Sequence, residues 1–322
     1  MHGHKKRSGL LRGPVDQQAG TLGAAKLLTV LIAGATGYLG SSTATYLESA
    51  GQHLTRLSRD EIWNTELWPT KPASSKQIFL FAAGSVRHPS TSAEAELYVE
   101  NYVSLVNQSL RMAAKTGVAR YIFLSSGDIY GSNEGRPFSE ADIHSPTNVY
   151  GDSRSRAERL VETWALESGV ELIIVRPFQI SGKNQKGRFL FELVSSLQGG
   201  RTFVVRNPNF QRDFVALSDF HAFIKKSLTA PIPNGAVTVN ASSGIARNLG
   251  SLAQDAQKIL GGKIELVNQH TGLPIDFRVG SNQVASEIFN WTPKVLDVYS
   301  LIKEVMENGD GQTPGYDTCQ LP

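Results

Sequence analysis

The sequence predicts an α/β fold, a doubly wound parallel sheet with a smaller α/β lobe towards the C-terminus. Three observations support this prediction. Apolar runs of strand length alternate with stretches of helical length from residue 27 to about residue 178. The first run, residues 27–33, is almost continuously apolar, as a strand buried on both faces should be. Beyond residue 178 the alternation becomes less regular, which indicates a separate, smaller unit.

The elements follow in chain order. The first strand leads through three glycines into a helix that ends near Ala50, because Gly51 is a natural C-terminal stop. Further strands are predicted at residues 53–58, 77–82, 121–124 and 171–175. Helices are predicted between them at residues 93–116 and 154–168, and beyond them at residues 189–197, 219–228, 249–260 and 295–307.

Composition and charge exclude several kinds of protein. Hydrophobic residues make up 40% of the chain and charged residues 19%, which fits a folded protein rather than a disordered one. The one cysteine, Cys319, permits no intramolecular disulfide and favours a reducing compartment, so the expected location is cytoplasmic. A formal net charge of +3 gives no reason to expect a nucleic acid or an anionic membrane as partner. No apolar run is long enough to span a bilayer.

Three glycines, Gly34, Gly37 and Gly40, follow the first strand directly and open a helix. Such a turn lets backbone approach a pyrophosphate closely and aims a helix N-terminus at its negative charge. The turn therefore predicts a Rossmann-type dinucleotide site, with a purely structural turn as the alternative. Its spacing differs from the Gly-x-Gly-x-x-Gly of many dehydrogenases. The predicted cofactor contacts in this turn are Gly34, Thr36, Gly37, Tyr38, Leu39 and Gly40.

The end of the second strand bears on the choice between NAD and NADP. An acidic residue there would accept the ribose hydroxyls and favour NAD. The sequence instead has Ser58 and Arg59, with no acid before Asp60, and a hydroxyl beside a guanidinium suits a 2′-phosphate. NADP is therefore the expected cofactor, with an exposed loop arginine as the alternative interpretation.

Two later segments carry chemistry. Residues 123–131 read Phe-Leu-Ser-Ser-Gly-Asp-Ile-Tyr-Gly at the end of a predicted strand, and residues 150–158 read Tyr-Gly-Asp-Ser-Arg-Ser-Arg-Ala-Glu at the start of a helix. With the glycine turn they resemble the extended short-chain dehydrogenase/reductase family, a group that includes nucleotide-sugar epimerases, dehydratases and ketoreductases. The resemblance covers roughly residues 27–306. It also includes Ala82-Ala83, Asn101, Arg176-Pro177-Phe178, residues 212–215 and residues 290–293.

The resemblance implies that Tyr150 is the acid/base and that Ser126 is its hydrogen-bonding partner, in contact with the substrate. An uncharged phenol is a poor base at neutral pH, so a fixed positive charge nearby must favour the phenolate. The family normally supplies this charge from a lysine four residues after the tyrosine, whereas this chain has Arg154. Arginine keeps the charge but has a bulkier, planar head group. The chain could thus be active with Arg154, slow or altered in its chemistry, or a binding or scaffold relative without turnover.

The residues after Ser126 bear on the type of reaction. Sugar 4,6-dehydratases resembling this family place Asp and then Glu there, and this chain has Gly127 and Asp128, which argues against 4,6-dehydration. Asp128 is a candidate catalytic acid/base, or it caps a local turn. C4 epimerisation and 4-keto reduction remain, and the expected NADP tilts the balance slightly towards a reductase. A reductase of a small carbonyl compound without a nucleotide is a further alternative.

The resemblance also implies the ligand contacts. A nucleotide-linked sugar is the expected substrate. Arg212 matches a position that commonly contacts its diphosphate, with a structural ion pair to Asp213 or another acid as the alternative. Gln179 lies where the family often has an asparagine near the sugar. Further cofactor contacts are expected from Ala82, Ala83, Tyr150, Arg154, Pro177 and Phe178. No metal site is expected.

Relatives often have an additional helix and strand where this chain has only residues 60–76. A shortened sheet edge and a rebuilt adenine pocket are therefore expected, with Trp63 or Trp68 either stacked on adenine or packed in a surface loop. Relatives also often dimerise through helices that would start here near Ala93 and Tyr150, so a homodimer is expected. The predicted dinucleotide-binding domain comprises residues 26–178 and about 211–242, the substrate-binding lobe about 179–210 and 243–308, and the tails 1–25 and 309–322.

Overall fold

A six-stranded parallel sheet lies at the centre of the computed structural model, which describes residues 28–70, 76–84, 89–133, 135–269 and 276–306. The strands are β1 (Leu28–Ala33), β2 (His53–Leu57), β3 (Lys76–Phe81), β4 (Arg120–Leu124), β5 (Glu171–Pro177), β6 (Gln179–Ser181), β7 (Thr202–Arg206), β8 (Gln211–Arg212), β9 (Phe214–Ala216), β10 (Ala236–Ala241), β11 (Arg247–Asn248), β12 (Lys263–Val267) and β13 (Phe277–Arg278). The helices are α1 (Tyr38–Ser49), α2 (Arg59–Trp63), α3 (Ser92–Thr116), α4 (Val149–Ser168), α5 (Phe189–Gln198), α6 (Leu217–Ser227), α7 (Leu249–Leu260), α8 (Gln283–Phe289) and α9 (Val298–Met306). No helix within these ranges is long and apolar enough to cross a membrane.

The strand order of the central sheet is β2-β1-β3-β4-β5-β10, and each neighbouring pair is parallel. The order reverses between β1 and β3, because the chain first moves outward to β2 and then returns past β1. Ala33 of β1 is level with Phe81 of β3, so these two strands end side by side. Open α/β sheets bind ligands outside the carboxyl ends of their strands at such a reversal, and the glycine turn lies there.

Helices cover both faces of the sheet. In β1, Val30 and Ile32 point into an apolar cluster shared with α1 and α6, whereas Leu31 and Ala33 point into a cluster shared with α3 and α4. All these β1 side chains are fully buried. The side-chain alternation of a strand thus explains why the run is apolar throughout. The predicted doubly wound parallel sheet is confirmed.

A third apolar cluster lies apart from the central sheet. Its residues come mainly from α5, α7 and α9, together with Phe214 and Ala216 of β9. The three helices belong to the segments predicted as the substrate-binding lobe, whereas β9 belongs to the segment predicted to return to the dinucleotide domain. The cluster therefore contains residues of both predicted units, and the division into two domains stays a prediction.

Helix α4 begins at Val149, earlier than the predicted start at residue 154. The reason is Asn148, whose side-chain oxygen accepts a hydrogen bond from the backbone N–H of Gly151 at 2.7 Å and so caps the helix. Tyr150 consequently lies in the first turn of α4. The elements α8 and β10 were among those not predicted. Helix α8 has only seven residues, too few to show a clear period, and β10 lies beyond residue 178, where the alternation of strands and helices is less regular.

Strand β2 is an edge strand of the described sheet, in line with the expected shortened edge. The chain then forms the short helix α2, capped reciprocally by Ser58 and Glu61: the Ser58 hydroxyl accepts from the Glu61 N–H, and the Glu61 carboxylate accepts from the Ser58 N–H. Trp68 packs against the core and donates from its indole nitrogen to the carbonyl of Ile62 at 3.2 Å, whereas Trp63 is exposed. Trp68 is therefore packed into the protein in this structure.

His221 on α6 gives the fold a pH dependence. Its ring stacks on Tyr46 of α1 with the centroids 5.0 Å apart, and its Nε2 lies 3.2 Å from the hydroxyl oxygen of Ser42. Burial lowers the pKa of His221 from 6.5 to about 4, because charging the ring in the core costs free energy. The unfolded chain therefore binds more protons at this residue in that range. We expect about 3 kcal/mol of stability to be lost as the pH falls from 6.5 to below 4.

The variant His221→Gln checks this expectation. Urea unfolding at neutral and at acidic pH should show a smaller loss of unfolding free energy in the variant than in the wild type. Burial raises the pKa of Asp213 to about 6, which acts in the opposite direction over part of the same range. Asp213 is present in both proteins, so the difference between them isolates His221. Equal losses in the two proteins would contradict the assignment.

Candidate active site

The glycine turn between β1 and α1 is packed against the chain that follows β3. A Cβ built on Gly34 would lie 2.5 Å from the backbone nitrogen of Ala83 and 2.6 Å from the carbonyl oxygen of Ala82. Gly34 also has a φ of +84°, which side chains rarely adopt. A Cβ on Gly40 would overlap the carbonyl oxygen of Gly34, whereas a Cβ on Gly37 would meet that oxygen only at 3.4 Å. Close packing thus requires glycine at two of the three positions.

The N-terminus of α1 emerges from this turn. Its N-cap, Gly37, offers no side chain to the first backbone N–H groups, and the first turn contains no acidic residue. Uncapped N–H groups and the helix dipole suit an anion such as a pyrophosphate. Tyr38, the first helical residue, donates from its hydroxyl to the carbonyl of Lys183 at 3.0 Å, and burial raises the pKa of this phenol. The turn therefore has the shape and the polarity that a dinucleotide needs.

Ser126 follows β4 and caps the 3-10 turn Gly127–Ile129. Its hydroxyl oxygen accepts a hydrogen bond from the backbone N–H of Asp128 at 3.1 Å, which leaves the hydroxyl hydrogen for another acceptor. The ring of Phe178 supports the turn, because a Cβ on Gly127 would lie only 3.0 Å from that ring. Ser126 is thus held in place by the backbone of its own turn.

Tyr150 lies beside this turn because α4 begins against it. A Cβ on Gly151 would lie 2.5 Å from the carbonyl oxygen of Asp128, so the first turn of α4 and the 3-10 turn are in backbone contact. Tyr150 is half-buried, whereas Ser126 is buried. The fold therefore brings these two residues to the same corner, at the carboxyl end of β4.

The guanidinium of Arg154 lies between two aromatic rings. Its Cζ is 3.6 Å from the ring centroid of Tyr102 on α3 and 4.3 Å from the ring centroid of Tyr150. One terminal nitrogen donates to the hydroxyl of Ser153 at 3.3 Å. The other terminal nitrogen lies next to Gly84, just after β3: a Cβ built on Gly84 would be 2.5 Å from this nitrogen. Arg154 thus reaches from α4 past Tyr150 to the carboxyl end of β3.

The charge of Arg154 has no acidic partner among the ion pairs of the described residues. The residue is only 3% exposed, and its Nε is buried without a hydrogen-bond partner in that part of the chain. Although burial alone would lower it, the pKa of Arg154 is raised by the phenols of Tyr102, Tyr150 and Tyr98. A positive charge is therefore held beside Tyr150, and no carboxylate of the described residues forms an ion pair with it.

Arg212 takes part in a buried ion pair. One terminal nitrogen bonds the Asp276 carboxylate at 2.5 Å, and the other donates to the carbonyls of Gln211 and Asp276 at 2.9 Å each. Burial lowers the pKa of Arg212. Although burial alone would raise it, Arg212 and Arg278 hold the pKa of Asp276 below its ordinary value. Of the two interpretations of Arg212, the ion pair is observed, with Asp276 rather than Asp213 as its acid, and the contact with a diphosphate stays a prediction.

Arg278 on β13 lies nearer to the corner formed by Ser126 and Tyr150. Its Nε donates to Asp276 at 3.0 Å, and a terminal nitrogen lies 3.4 Å from a carboxylate oxygen of Asp128. Its side chain is 23% exposed, against 11% for Arg212. The carboxylate of Asp128 therefore pairs with Arg278, while only the backbone of Asp128 serves the local turn.

Gln179 and Asp213 lie where β6 meets β9. The side chain of Gln179 is exposed, and its backbone N–H donates to the carbonyl of Asp213 at 3.0 Å. The buried carboxylate of Asp213 accepts hydrogen bonds from the backbone N–H groups of Ser243, Gly244 and Gly280 and from the Ser243 hydroxyl. Asp213 thus joins three segments of the fold, and Gln179 is the exposed polar side chain at this point.

The model of the NAD dependent epimerase/dehydratase family matches residues 30–240. The chain belongs to this family. The match includes the glycine turn, the Ser126 turn and the first turns of α4. The resemblance drawn from the sequence is therefore confirmed.

Proteins of this family resemble the chain at low identity. UDP-glucose 4-epimerase of Lacticaseibacillus casei is 22% identical over 333 residues, which cover 90% of this chain and 99% of the relative. GDP-6-deoxy-D-mannose reductase of Pseudomonas aeruginosa is 24% identical over 208 residues, 59% of this chain and 67% of the relative. The structure of RMD from Pseudomonas aeruginosa complexed with NADPH superposes with a TM-score of 0.74 at 20% identity, covering 86% of this chain and 96% of that one. Likeness at this level shows the fold.

Most of the residues predicted from the family resemblance meet at the carboxyl ends of β1, β3, β4 and β5. These are the glycine turn with Thr36, Tyr38 and Leu39, the pair Ala82 and Ala83, then Ser126, Asp128, Tyr150 and Arg154, and finally Pro177, Phe178 and Gln179. Ser58 and Arg59 lie at the end of β2 and are exposed, and the Ser58 hydroxyl already accepts the helix-capping bond. Preference for NADP stays a prediction.

Tyr102 and Arg278 are site residues that sequence reasoning missed. In the sequence, Tyr102 is not distinguishable from other aromatic residues that a long helix buries in the core. Arg154 could have pointed to it, because a planar guanidinium favours stacking on an aromatic ring. Arg278 lies where the sequence pattern is less regular. Its proximity to Asp128 depends on contacts between distant segments, such as the bridge between its neighbour Phe277 and Asn133, which local pattern does not reveal.

Proposed function

We propose that the chain is an NAD(P)-dependent enzyme that acts on a nucleotide-linked sugar, by C4 epimerisation or by 4-keto reduction. The observation that carries the proposal is the buried cation of Arg154, held against Tyr150 without an acid to neutralise it. Arg176 provides the contrast, because its buried guanidinium lies 2.6 Å from the carboxylate of Glu158. Unpaired buried charge is costly, and strongly perturbed groups of this kind cluster at functional sites.

The turn after β1 fits the cofactor. Gly37 at the N-cap offers no side chain to the first N–H groups of α1, and Gly34 packs against Ala82 and Ala83. We propose that residues 36–39 hold the pyrophosphate there, beside Ala82 and Ala83. When bound, NAD(P) donates or accepts the hydride. Ser58 and Arg59 are the proposed contacts of a 2′-phosphate, since both are exposed at the end of β2.

Tyr150 moves the proton in this proposal. When a sugar hydroxyl is oxidised, the phenolate accepts the hydroxyl proton as the carbonyl forms, and in the reverse direction the phenol returns it to the carbonyl oxygen. The guanidinium of Arg154 lies 4.3 Å from the ring centroid of Tyr150. Ser126 donates its remaining hydroxyl hydrogen to the sugar oxygen and so keeps that oxygen in reach of Tyr150.

The substrate contacts are proposed from what the site offers. Gln179 and Arg278 present partly or fully exposed polar groups, and Arg212 adds positive charge behind them. The guanidinium of Arg278 is the partly exposed cation here, and we propose that it offers hydrogen-bond donors to the diphosphate. Association as a homodimer through α3 and α4 is part of the same proposal.

A second candidate is an NADPH-dependent reductase of a small carbonyl compound without a nucleotide. One observation favours it: both terminal nitrogens of Arg212, the predicted diphosphate contact, are already bonded to Gln211 or Asp276. The same acid/base would serve, because a small ketone needs no contact beyond the Ser126 and Tyr150 corner.

A substrate panel tests both candidates. The full chain is incubated with each nicotinamide cofactor and with nucleotide sugars, nucleotide-linked 4-keto sugars, and small aldehydes and ketones, and the products are separated and identified. We expect conversion of a nucleotide-linked sugar. Conversion of small carbonyl compounds alone would favour the second candidate. No conversion in any mixture would contradict both.

A further inference from the structure

We infer that Tyr102 is a positioning residue of the site, one that fixes the guanidinium of Arg154 against Tyr150 without cancelling its charge. The inference rests on the proposed function, because it explains how the proposed acid/base is supported. The observation behind it is geometric. The ring of Tyr102 lies 3.6 Å from the Cζ of Arg154, closer than the ring of Tyr150 at 4.3 Å.

The ring of Tyr102 is itself fixed. Tyr102 lies on α3 with only 5% of its surface exposed, and the ring of Phe81, the last residue of β3, meets it edge-on with the centroids 6.3 Å apart. On another side, a Cβ on Gly84 would lie 2.7 Å from a ring carbon of Tyr102. The ring has little space to turn aside, so it is a rigid platform for the guanidinium.

An aromatic platform differs from an acidic one in its effect on the charge. A ring face attracts a cation through its quadrupole and carries no net charge of its own. A carboxylate at the same place would also hold Arg154, but it would compete with the phenolate for the cation. The acid one turn further along α4, Glu158, is already bonded to Arg176 at 2.6 Å. Tyr102 therefore immobilises the cation and leaves its field directed at Tyr150.

The pairing is specific for arginine. A planar guanidinium stacks on a ring, whereas an ammonium is a compact, strongly hydrated charge. The hydroxyl of Tyr102 is buried without a hydrogen-bond partner among the described residues, so the ring and not the hydroxyl makes the contact. Phenylalanine should therefore serve as well as tyrosine at position 102, and an aliphatic residue should not.

Four variants test the inference: Tyr102→Phe, Tyr102→Leu, Arg154→Lys and the Tyr102→Leu, Arg154→Lys double variant. With a substrate from the panel, we expect Tyr102→Phe to keep kcat within about twofold and Tyr102→Leu to lose about tenfold or more, with KM for the sugar nearly unchanged. In the Arg154→Lys background, Tyr102→Leu should cost less than about twofold, because the stack is already gone. Equal losses in Tyr102→Phe and Tyr102→Leu, or a full further loss in the double variant, would overturn the inference.

Urea unfolding of the same proteins gives a measure that does not depend on activity. The midpoint should fall more when Tyr102→Leu is made in the wild type than when it is made in the Arg154→Lys background. Tyr102→Met replaces Tyr102→Leu if the latter does not fold, since methionine adapts to irregular space. Wild-type inactivity on every substrate would reject the proposed function, and the unfolding midpoints would still decide the contact. Identical falls in the two backgrounds would then reject the inference.

Discussion

Replacing Tyr150 by phenylalanine should lower kcat by about 10²- to 10⁴-fold, because the group that carries the proton is lost. The ring that contacts the guanidinium of Arg154 is kept, so the fold and cofactor binding should persist. Steady-state kinetics with a substrate from the panel measure the loss, and a cofactor titration of the same variant shows whether binding is retained.

Tyr299 supplies a matched control for this variant. It precedes Lys303 at the same four-residue spacing that separates Tyr150 from Arg154, but it lies 63% exposed on α9. Tyr299→Phe should leave kcat unchanged. If Tyr150→Phe also kept most of its activity, the acid/base would have to be another group, and the proposed mechanism would be wrong.

Replacing Gly40 by alanine should weaken cofactor binding. The added Cβ would overlap the carbonyl oxygen of Gly34 and lie 3.2 Å from the nitrogen of Ala35. Both are backbone atoms, which cannot move aside as the end of a flexible side chain can. Overpacking of this kind costs about 1–3 kcal/mol of folding stability. The turn relieves this cost by shifting, and binding must restore the original geometry. We therefore expect the dissociation constant for the cofactor to rise by about tenfold or more, since every 1.4 kcal/mol is tenfold in affinity.

Gly37 is the control within the same turn. Its φ of −78° is open to any residue, and its added Cβ would meet the carbonyl oxygen of Gly34 only at 3.4 Å. Gly37→Ala should therefore leave the urea unfolding midpoint of the cofactor-free protein nearly unchanged, whereas Gly40→Ala should lower it. Equal falls in both variants would show that glycine content, and not the close packing at Gly40, governs the turn.

The features that the sequence predicted best depend on neighbours along the chain. The apolar run of β1, the glycines after it and Gly51 after the end of α1 each act within a few residues, so the sequence alone shows their effects. Ser126 and Tyr150 were likewise carried by short segments with a characteristic order. The family resemblance rested on these segments, and the structure brings Ser126 and Tyr150 together at the carboxyl end of β4.

The features that the sequence did not settle depend on distant partners. The acid that pairs with Arg212 is Asp276. Asp213, the next residue along the chain from Arg212, instead accepts hydrogen bonds from the backbone N–H groups of Ser243 and Gly280. The sequence contains both acids, and nothing in it shows which of the two pairs with Arg212. The choice is made by strand pairing, since β8 lies beside β13 in the folded protein.

The position of β10 has a consequence for how the chain is made. The other five strands of the central sheet lie within residues 28–177, whereas β10 pairs with β5 from Ala236–Ala241. Until that segment has been synthesised, β5 remains an edge whose backbone groups can pair with another nascent chain. The stretch from β6 through β10 must therefore be synthesised before β5 gains its second neighbour, and in that interval β5 is open to pairing with another chain.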